Sequence, residues 1–404
     1  MKLGRSILAA ERRMALLFGV CLVSSMPLAA QTETPTTKPY ATLDRQSVTY
    51  QGPAVTADKP LPDGPAVIGM IVPLRGAQEA EGKTLLAAAQ IALEEEQARG
   101  PLPDGRKLAL AVRDESGQWG QASSEILKLI EQDHALAVIT SANGGTAHEA
   151  EQIATKISFP ILTLASDSST TETNVPWLFR LGPSDTDQAR MIARRITEMP
   201  GLRKVLLVVQ MDHDGRVGGE QFEKAAREKK LAGVERVELA ADGKDVASIS
   251  ATLRSGAPEA VVVWADTMPA RRVVEMAQQA APGARVYLCS KAAQLGANGS
   301  EGLGEYFTVA GPVRIPDDKF AEEYRKRTGS EPGIAAIEAY EAAHLVAAGI
   351  RSRGTSRVLL REYFAETGKA REQEGALAFD PAGNQIGEFR VVRVGSGGMV
   401  VAGQ

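Results

Sequence analysis

Ala66-Val-Ile-Gly-Met-Ile-Val72 is a short apolar run rich in β-branched residues, and a Pro/Gly loop separates it from residues 82–99. That second stretch places Leu85, Leu86, Ala89, Ala92 and Leu93 on one helical stripe. A strand leading straight into an amphipathic helix is the unit of a parallel sheet. The same alternation recurs outward from it: 107–112 then 121–132, 136–140 then 146–157, and 160–164 entering a Ser/Thr loop. Four such units in succession predict a parallel sheet covered on both faces.

A second series begins after Phe179-Arg-Leu-Gly-Pro183. Helices are expected over 185–198, 218–231, 246–255 and 269–281, and strands over 204–210, 234–239, 260–264 and 285–288, which makes a second parallel sheet. The tail departs from this rhythm. Helices are expected over 317–328, 335–352 and 356–367, then a hairpin of 376–379 with 388–394 across the turn Asp380-Pro-Ala-Gly-Asn384.

Lys2, Arg5, Arg12 and Arg13 precede an apolar run from Met14 to Ala30, the layout of a secretory signal peptide over residues 1–30. The run is broken by Ser24, Ser25 and Pro27 and is short for a bilayer span of about 20 apolar residues, so a permanent anchor is not expected. Phe18-Gly-Val-Cys21 fits a lipoprotein cleavage site poorly. Residues 31–63 are rich in Thr, Pro, Gln and Asp and read as a flexible leader. Of the two cysteines, only Cys289 lies outside the signal segment, so no intramolecular disulfide is expected. A net charge of −4 without a long basic run argues against nucleic acid as a partner.

The four histidines, His134, His148, His213 and His344, fall in four separate segments without a His-Glu-x-x-His or a cysteine pair, so neither a metal nor a cofactor is expected. No Gly-x-Ser-x-Gly, phosphate-binding Gly-rich loop or Gly-x-Gly-x-x-Gly stands at a strand–helix junction. The junctions carry instead Thr140-Ser-Ala-Asn-Gly-Gly-Thr146 and Ala165-Ser-Asp-Ser-Ser-Thr-Thr-Glu-Thr173. Such loops lie at the carboxyl ends of parallel strands, where helix N-termini offer free amides to an anion. They serve equally well as simple helix caps.

Taken in order, these segments resemble the type I periplasmic binding proteins, in the leucine/isoleucine/valine-binding branch, over about residues 64–400. The carriers are Ile68-Gly-Met-Ile-Val-Pro-Leu-Arg-Gly76, Arg113-Asp-Glu-Ser116, Pro160-Ile-Leu-Thr-Leu-Ala-Ser166, Phe179-Arg-Leu-Gly-Pro-Ser-Asp185 and Asp212-His-Asp-Gly-Arg216. Phe320-Ala-Glu-Glu-Tyr324, with Pro332 and Tyr340-Glu-Ala342, and the closing Gly375-Ala-Leu-Ala-Phe-Asp-Pro-Ala-Gly383 continue the pattern. The resemblance implies an α/β fold of two Rossmann-like lobes joined by three crossings around a central ligand cleft. Lobe one is expected at 64–183 plus 313–377, and lobe two at 184–312 plus 378–404. It further implies a non-catalytic, periplasmic, monomeric protein that captures a small solute and hands it to an ABC permease. A ligand sensor on the same scaffold is the alternative, and an enzyme acting through Asp212, His213 and Asp214 is a third reading.

Carried over residue by residue, a ligand carboxylate falls on Gly144, Gly145 and Thr146, and the next ligand loop on Ser168 and Ser169. Arg75, Gln78 and Glu81 belong to the first ligand loop, with Glu81 where an aromatic is common. The lobe-two acid that would pair with an α-ammonium falls on Lys291, which would repel it. Lys291 and Arg75 would then meet an anionic solute. In a slipped register, Asp266 or Glu81 supplies the acid and Lys291 is a solvated surface charge. Trp264 either stacks on the ligand or belongs to the core.

Overall fold

The computed structural model describes residues 61–199, 201–202, 204–294, 304–311, 318–370, 377–395 and 398–401. The expected signal segment, and all of the leader but its last residues, lie outside them. No described helix is long and apolar enough to cross a membrane.

The first lobe is built on a five-stranded parallel sheet in the order β2-β1-β3-β4-β5, formed by Ala66–Val72 (β1), Leu108–Asp114 (β2), Ala137–Thr140 (β3), Ile161–Thr163 (β4) and Leu178–Arg180 (β5). The opening apolar run is an inner strand: Ile68 stands opposite both Leu110 and Ala137. One face is covered by Glu79–Ala98 (α1), Asp318–Thr328 (α9), Ile334–Arg353 (α10) and Arg357–Ala370 (α11). Gln121–Glu131 (α2) and Gly144–Ile157 (α3) cover the other. Leu85, Ala89, Ala92 and Leu93 are buried as the helical spacing requires. A short helix, Ser169–Glu172 (α4), follows β4.

The second lobe carries Asp185–Thr197 (α5), Val205–Gln210 (β6), His213–Glu228 (α6), Val234–Leu239 (β7), Ile249–Gly256 (α7), Ala260–Trp264 (β8), Thr267–Ala280 (α8), Arg285–Leu288 (β9) and Tyr306–Ala310 (β10). Its sheet runs β14-β13-β10-β9-β8-β6-β7, with Arg390–Gly395 (β13) antiparallel to β10 and Gly398–Val401 (β14) antiparallel to β13. Every residue of β6 and β8 is buried. Runs apolar on both faces suit inner strands, and each fully buried Val or Leu contributes roughly 1.5–3 kcal/mol.

Several expectations are corrected. Helix α6 starts at His213, not 218, because the Asp212 carboxylate caps it by accepting from the Gly215 amide at 2.8 Å. The tail hairpin pairs Ala378–Phe379 (β11) with Gln385–Ile386 (β12), whereas 390–395 joins the second sheet instead. The hairpin also stays with the first lobe: Phe379 packs in that core, Gly383 O accepts from the Arg180 amide at 2.7 Å, and the buried Arg180 guanidinium reaches Asn384 Oδ1 at 2.5 Å. The last crossing therefore lies after Ile386 rather than at 377.

Candidate functional site between the lobes

The two lobes meet along the carboxyl ends of their parallel strands, and that seam has an open part and a filled part. The open part is a cleft of about 830 Å³. Its lobe-one wall includes Arg75, Gln78, Glu81 and Glu115, and its lobe-two wall includes Gln210, Lys244, Asp266 and Arg272. Gln78, ending the turn Gly76–Gln78 that leads into α1, reaches across to donate to Asp266 Oδ1 at 3.2 Å. Arg75 stands exposed at the rim, paired through Nε with Asp114 Oδ2 at 2.5 Å. Burial would raise the Asp114 carboxyl, but the Leu74 and Ser116 amides and Arg75 outweigh it and hold the pKa at about 2. Glu115 behaves oppositely. Burial pushes its pKa up to about 8, and the Ser141 hydroxyl 2.7 Å away offsets this only in part.

The filled part lies where the resemblance places a ligand carboxylate. Asn143 caps α3 by accepting from the Thr146 amide at 3.1 Å, which orients the first-turn amides toward lobe two. The Gly144 amide donates to Asp214 Oδ1, a carboxylate from the first turn of α6 in the opposite lobe, at 3.0 Å. Asp214 Oδ2 pairs with Lys291 Nζ at 2.5 Å, and Asp266 Oδ1 pairs with the same ammonium at 2.9 Å. Burial would lower the Lys291 pKa, yet these carboxylates hold it well above its ordinary value. The remaining space beside Asp214, Asp185 and Lys291 is about 10 Å³, too small for a solute. A Cβ at position 144 would stand 2.3 Å from Asp214 Oδ1, so glycine there is the condition for this contact.

Next to it, three side chains that are distant in sequence converge. Asp167 Oδ2 lies 2.9 Å from His148 Nε2 and 2.7 Å from His213 Nε2. Hydrogen bonds to Asp167 and Glu151 push the His148 pKa up to about 9, and Asp167 likewise raises His213. Burial acts to raise Asp167 itself, but the two imidazoles hold it far below the carboxylate range.

Of the residues singled out from the sequence, Arg75, Gln78, Glu81 and Asp266 line the open cleft. The others are engaged by the protein. Thr146 is buried and hydrogen-bonded to Glu115, and Gly145 sits half-buried beside Trp119. Ser168 pairs with Thr186 Oγ1 at 2.8 Å, and Ser169 donates its hydroxyl to Asp167 Oδ1 at 2.7 Å. Trp264 is core: it is 2% exposed, packs against Phe222, fills the space over Gly218 where no Cβ would fit, and donates Nε1 to the buried Asp185. Lys291, 6% exposed, is neither a solvated surface charge nor a vacant anion receptor. His148 and His213, read from the sequence as unrelated surface or turn residues, meet at one point. The sequence signal that could have found this was the acidic neighbourhood of His213 in Met211-Asp-His-Asp214. The 241–244 loop and the start of α8, which line the cleft, had no such signal.

Among solved structures, the fold is similar to a solute-binding protein of an ABC transporter from R. palustris in complex with benzoate. That match has 19% identity over 84% of this chain and 96% of the other, with a TM-score of 0.74. It is also similar to the branched-chain amino acid transporter substrate-binding protein LivJ from Streptococcus pneumoniae in complex with isoleucine, at 20% identity, 83% and 97% coverage and TM-score 0.70. The leucine-binding protein LivK from Thermotoga maritima gives 19%, 84% and 98%, and 0.71. No curated protein sequence matches the chain significantly. A family model described as periplasmic binding protein matches residues 65–397, nearly all of the folded chain, and the protein therefore belongs to the periplasmic binding protein family of solute-binding proteins.

Proposed function

We propose that the protein is the extracytoplasmic solute-binding component of an ABC importer, closing its lobes on a small carboxylate-bearing solute and presenting it to a membrane permease without chemical change. One observation carries the choice of ligand class. The first amide of α3 already receives a carboxylate from across the cleft, that of Asp214, so this position is built to accept an anion between closed lobes. The open 830 Å³ adjoining it would hold the remainder of the solute. The benzoate and isoleucine of the similar structures both carry a carboxylate, which agrees with this reading. The basic, then apolar N-terminus of the chain supports export. A non-catalytic role is supported by the engagement of His213 and Asp214 in ion pairs with Asp167 and Lys291.

A thermal-shift screen tests the proposal by setting aliphatic and aromatic carboxylates and amino acids against the corresponding amides. A ligand of the folded state at 100 times its Kd adds about 2.7 kcal/mol. Acids should raise the Tm and amides should not. Equal shifts by acids and amides, or none from either, would overturn the ligand class.

A further inference from the structure

We propose that His148 Nε2, Asp167 Oδ2 and His213 Nε2 form an interlobe site for a divalent transition-metal ion of the Zn²⁺ class, beside the solute cleft and not among the residues that line it. The three ligand atoms lie within 4.8 Å of one another. Two imidazoles and one carboxylate are a donor set that suits Zn²⁺, with a fourth position left to solvent. The rings stand edge to face, 5.4 Å apart at 88°, so both Nε2 atoms converge on one carboxylate oxygen without the rings stacking. A tetrahedral ion with bonds of about 2.0–2.1 Å needs its ligand atoms roughly 3.3 Å apart, about half an ångström wider than the present contacts. Because His213 belongs to the opposite lobe, a small opening of the seam widens its distance to Asp167, while His148 and Asp167, both of lobe one, separate by side-chain rotation.

Two of the atoms that face away from the centre, His148 Nδ1 and Asp167 Oδ1, are already held. His148 Nδ1 lies 3.3 Å from Glu151 Oε2, and the other oxygen of Glu151 accepts from the Thr173 hydroxyl at 2.7 Å. Asp167 Oδ1 accepts from the Ser169 amide at 2.9 Å and its hydroxyl at 2.7 Å. An outer carboxylate on one imidazole nitrogen presents the other for coordination, and the Ser169 donors on Oδ1 leave Oδ2 turned toward the two imidazoles. The cluster is reachable: the His213 side chain is 41% exposed, while Asp167 is 1% exposed. A bound ion would tie lobe two to lobe one at one point beside the cleft.

The test uses full-length, tag-free protein dialysed against chelator, titrated with ZnCl₂ by calorimetry and with Co²⁺ by its visible absorption. One ion per chain with the intense bands of tetrahedral Co²⁺ is expected. Glu151→Gln should weaken Zn²⁺ by about 10–100-fold as an outer partner. His213→Gln should weaken it at least as much, and His344→Gln, a histidine held elsewhere by Glu95 and Glu96, should leave it unchanged. If His213→Gln fails to fold by circular dichroism, Glu151→Gln alone decides. No bound ion, or unaltered affinity in folded His213→Gln or in Glu151→Gln, overturns the site.

Discussion

The two parts of the interlobe seam treat buried charge in opposite ways. In the filled part, charges are buried but matched: Lys291 lies between Asp214 and Asp266, and Asp214 also occupies a helix amide. In the open part, the buried Glu115 is held by Ser141 and Thr146 and, among the described residues, by no ion pair, and its pKa of about 8 keeps it protonated near neutrality. The position where the sequence resemblance puts a ligand carboxylate is filled by the protein's own ion pairs, and the open cleft lies in the same seam. Three substitutions break or sharpen that contrast.

The largest effect is expected from Lys291→Met, which removes the ammonium from between two carboxylates. Leaving buried charge uncompensated costs about 3–5 kcal/mol, to be read as a lower urea midpoint at pH 7.5. An unchanged midpoint would mean that the filled part is not held by matched charge.

Glu115→Gln comes next and tests the open part. The folded pKa of about 8 lies above the unfolded value of about 4.3, so this group's stabilising contribution is complete below the unfolded value. It is lost as pH rises, and the loss is complete once pH has passed the folded value. Glutamine keeps the Ser141 hydrogen bond and removes the dependence. The variant should match wild type at pH 4 and exceed it by on the order of 2–4 kcal/mol at pH 9. Parallel pH–stability curves for the two proteins would contradict this.

Gly144→Ser has a smaller effect. Its Cβ would meet Asp214 Oδ1 at 2.3 Å, and an overpacked contact of this kind costs about 1–3 kcal/mol. The cost should shrink in a background carrying Asp214→Ala, which removes the closest contact and leaves His213 Cδ2 at 3.2 Å and Asp167 Cβ at 3.3 Å. Additivity in that double-mutant cycle would deny the contact.

The fold was largely legible because strands such as Val205–Gln210 are apolar on both faces, and helices such as α1 keep a clear 3.6-residue stripe. The pairing of the last strands was not. Whether residues 390–395 return to β11 or cross to β10 is settled by tertiary packing at long sequence separation, which no local pattern encodes. The site followed the same rule. Ser/Thr-rich loops after β3 and β4 marked the right end of the sheet. Their occupants, Asp214 and His213, come from a segment 70 residues beyond Gly144 and 46 beyond Asp167. The sequence leaves Lys291 between an anion receptor and a solvated surface charge, because Asp214 and Asp266 come together with it only in the folded chain.

The central claim is that Asp214 occupies the position a solute carboxylate would take. Titration calorimetry of wild type and Asp214→Ala with the acid that most raises the Tm tests this directly. Freeing the Gly144 amide and one face of Lys291 should tighten binding by about tenfold, or 1.4 kcal/mol. Weaker or abolished binding in Asp214→Ala would show that Asp214 holds the solute rather than competing with it.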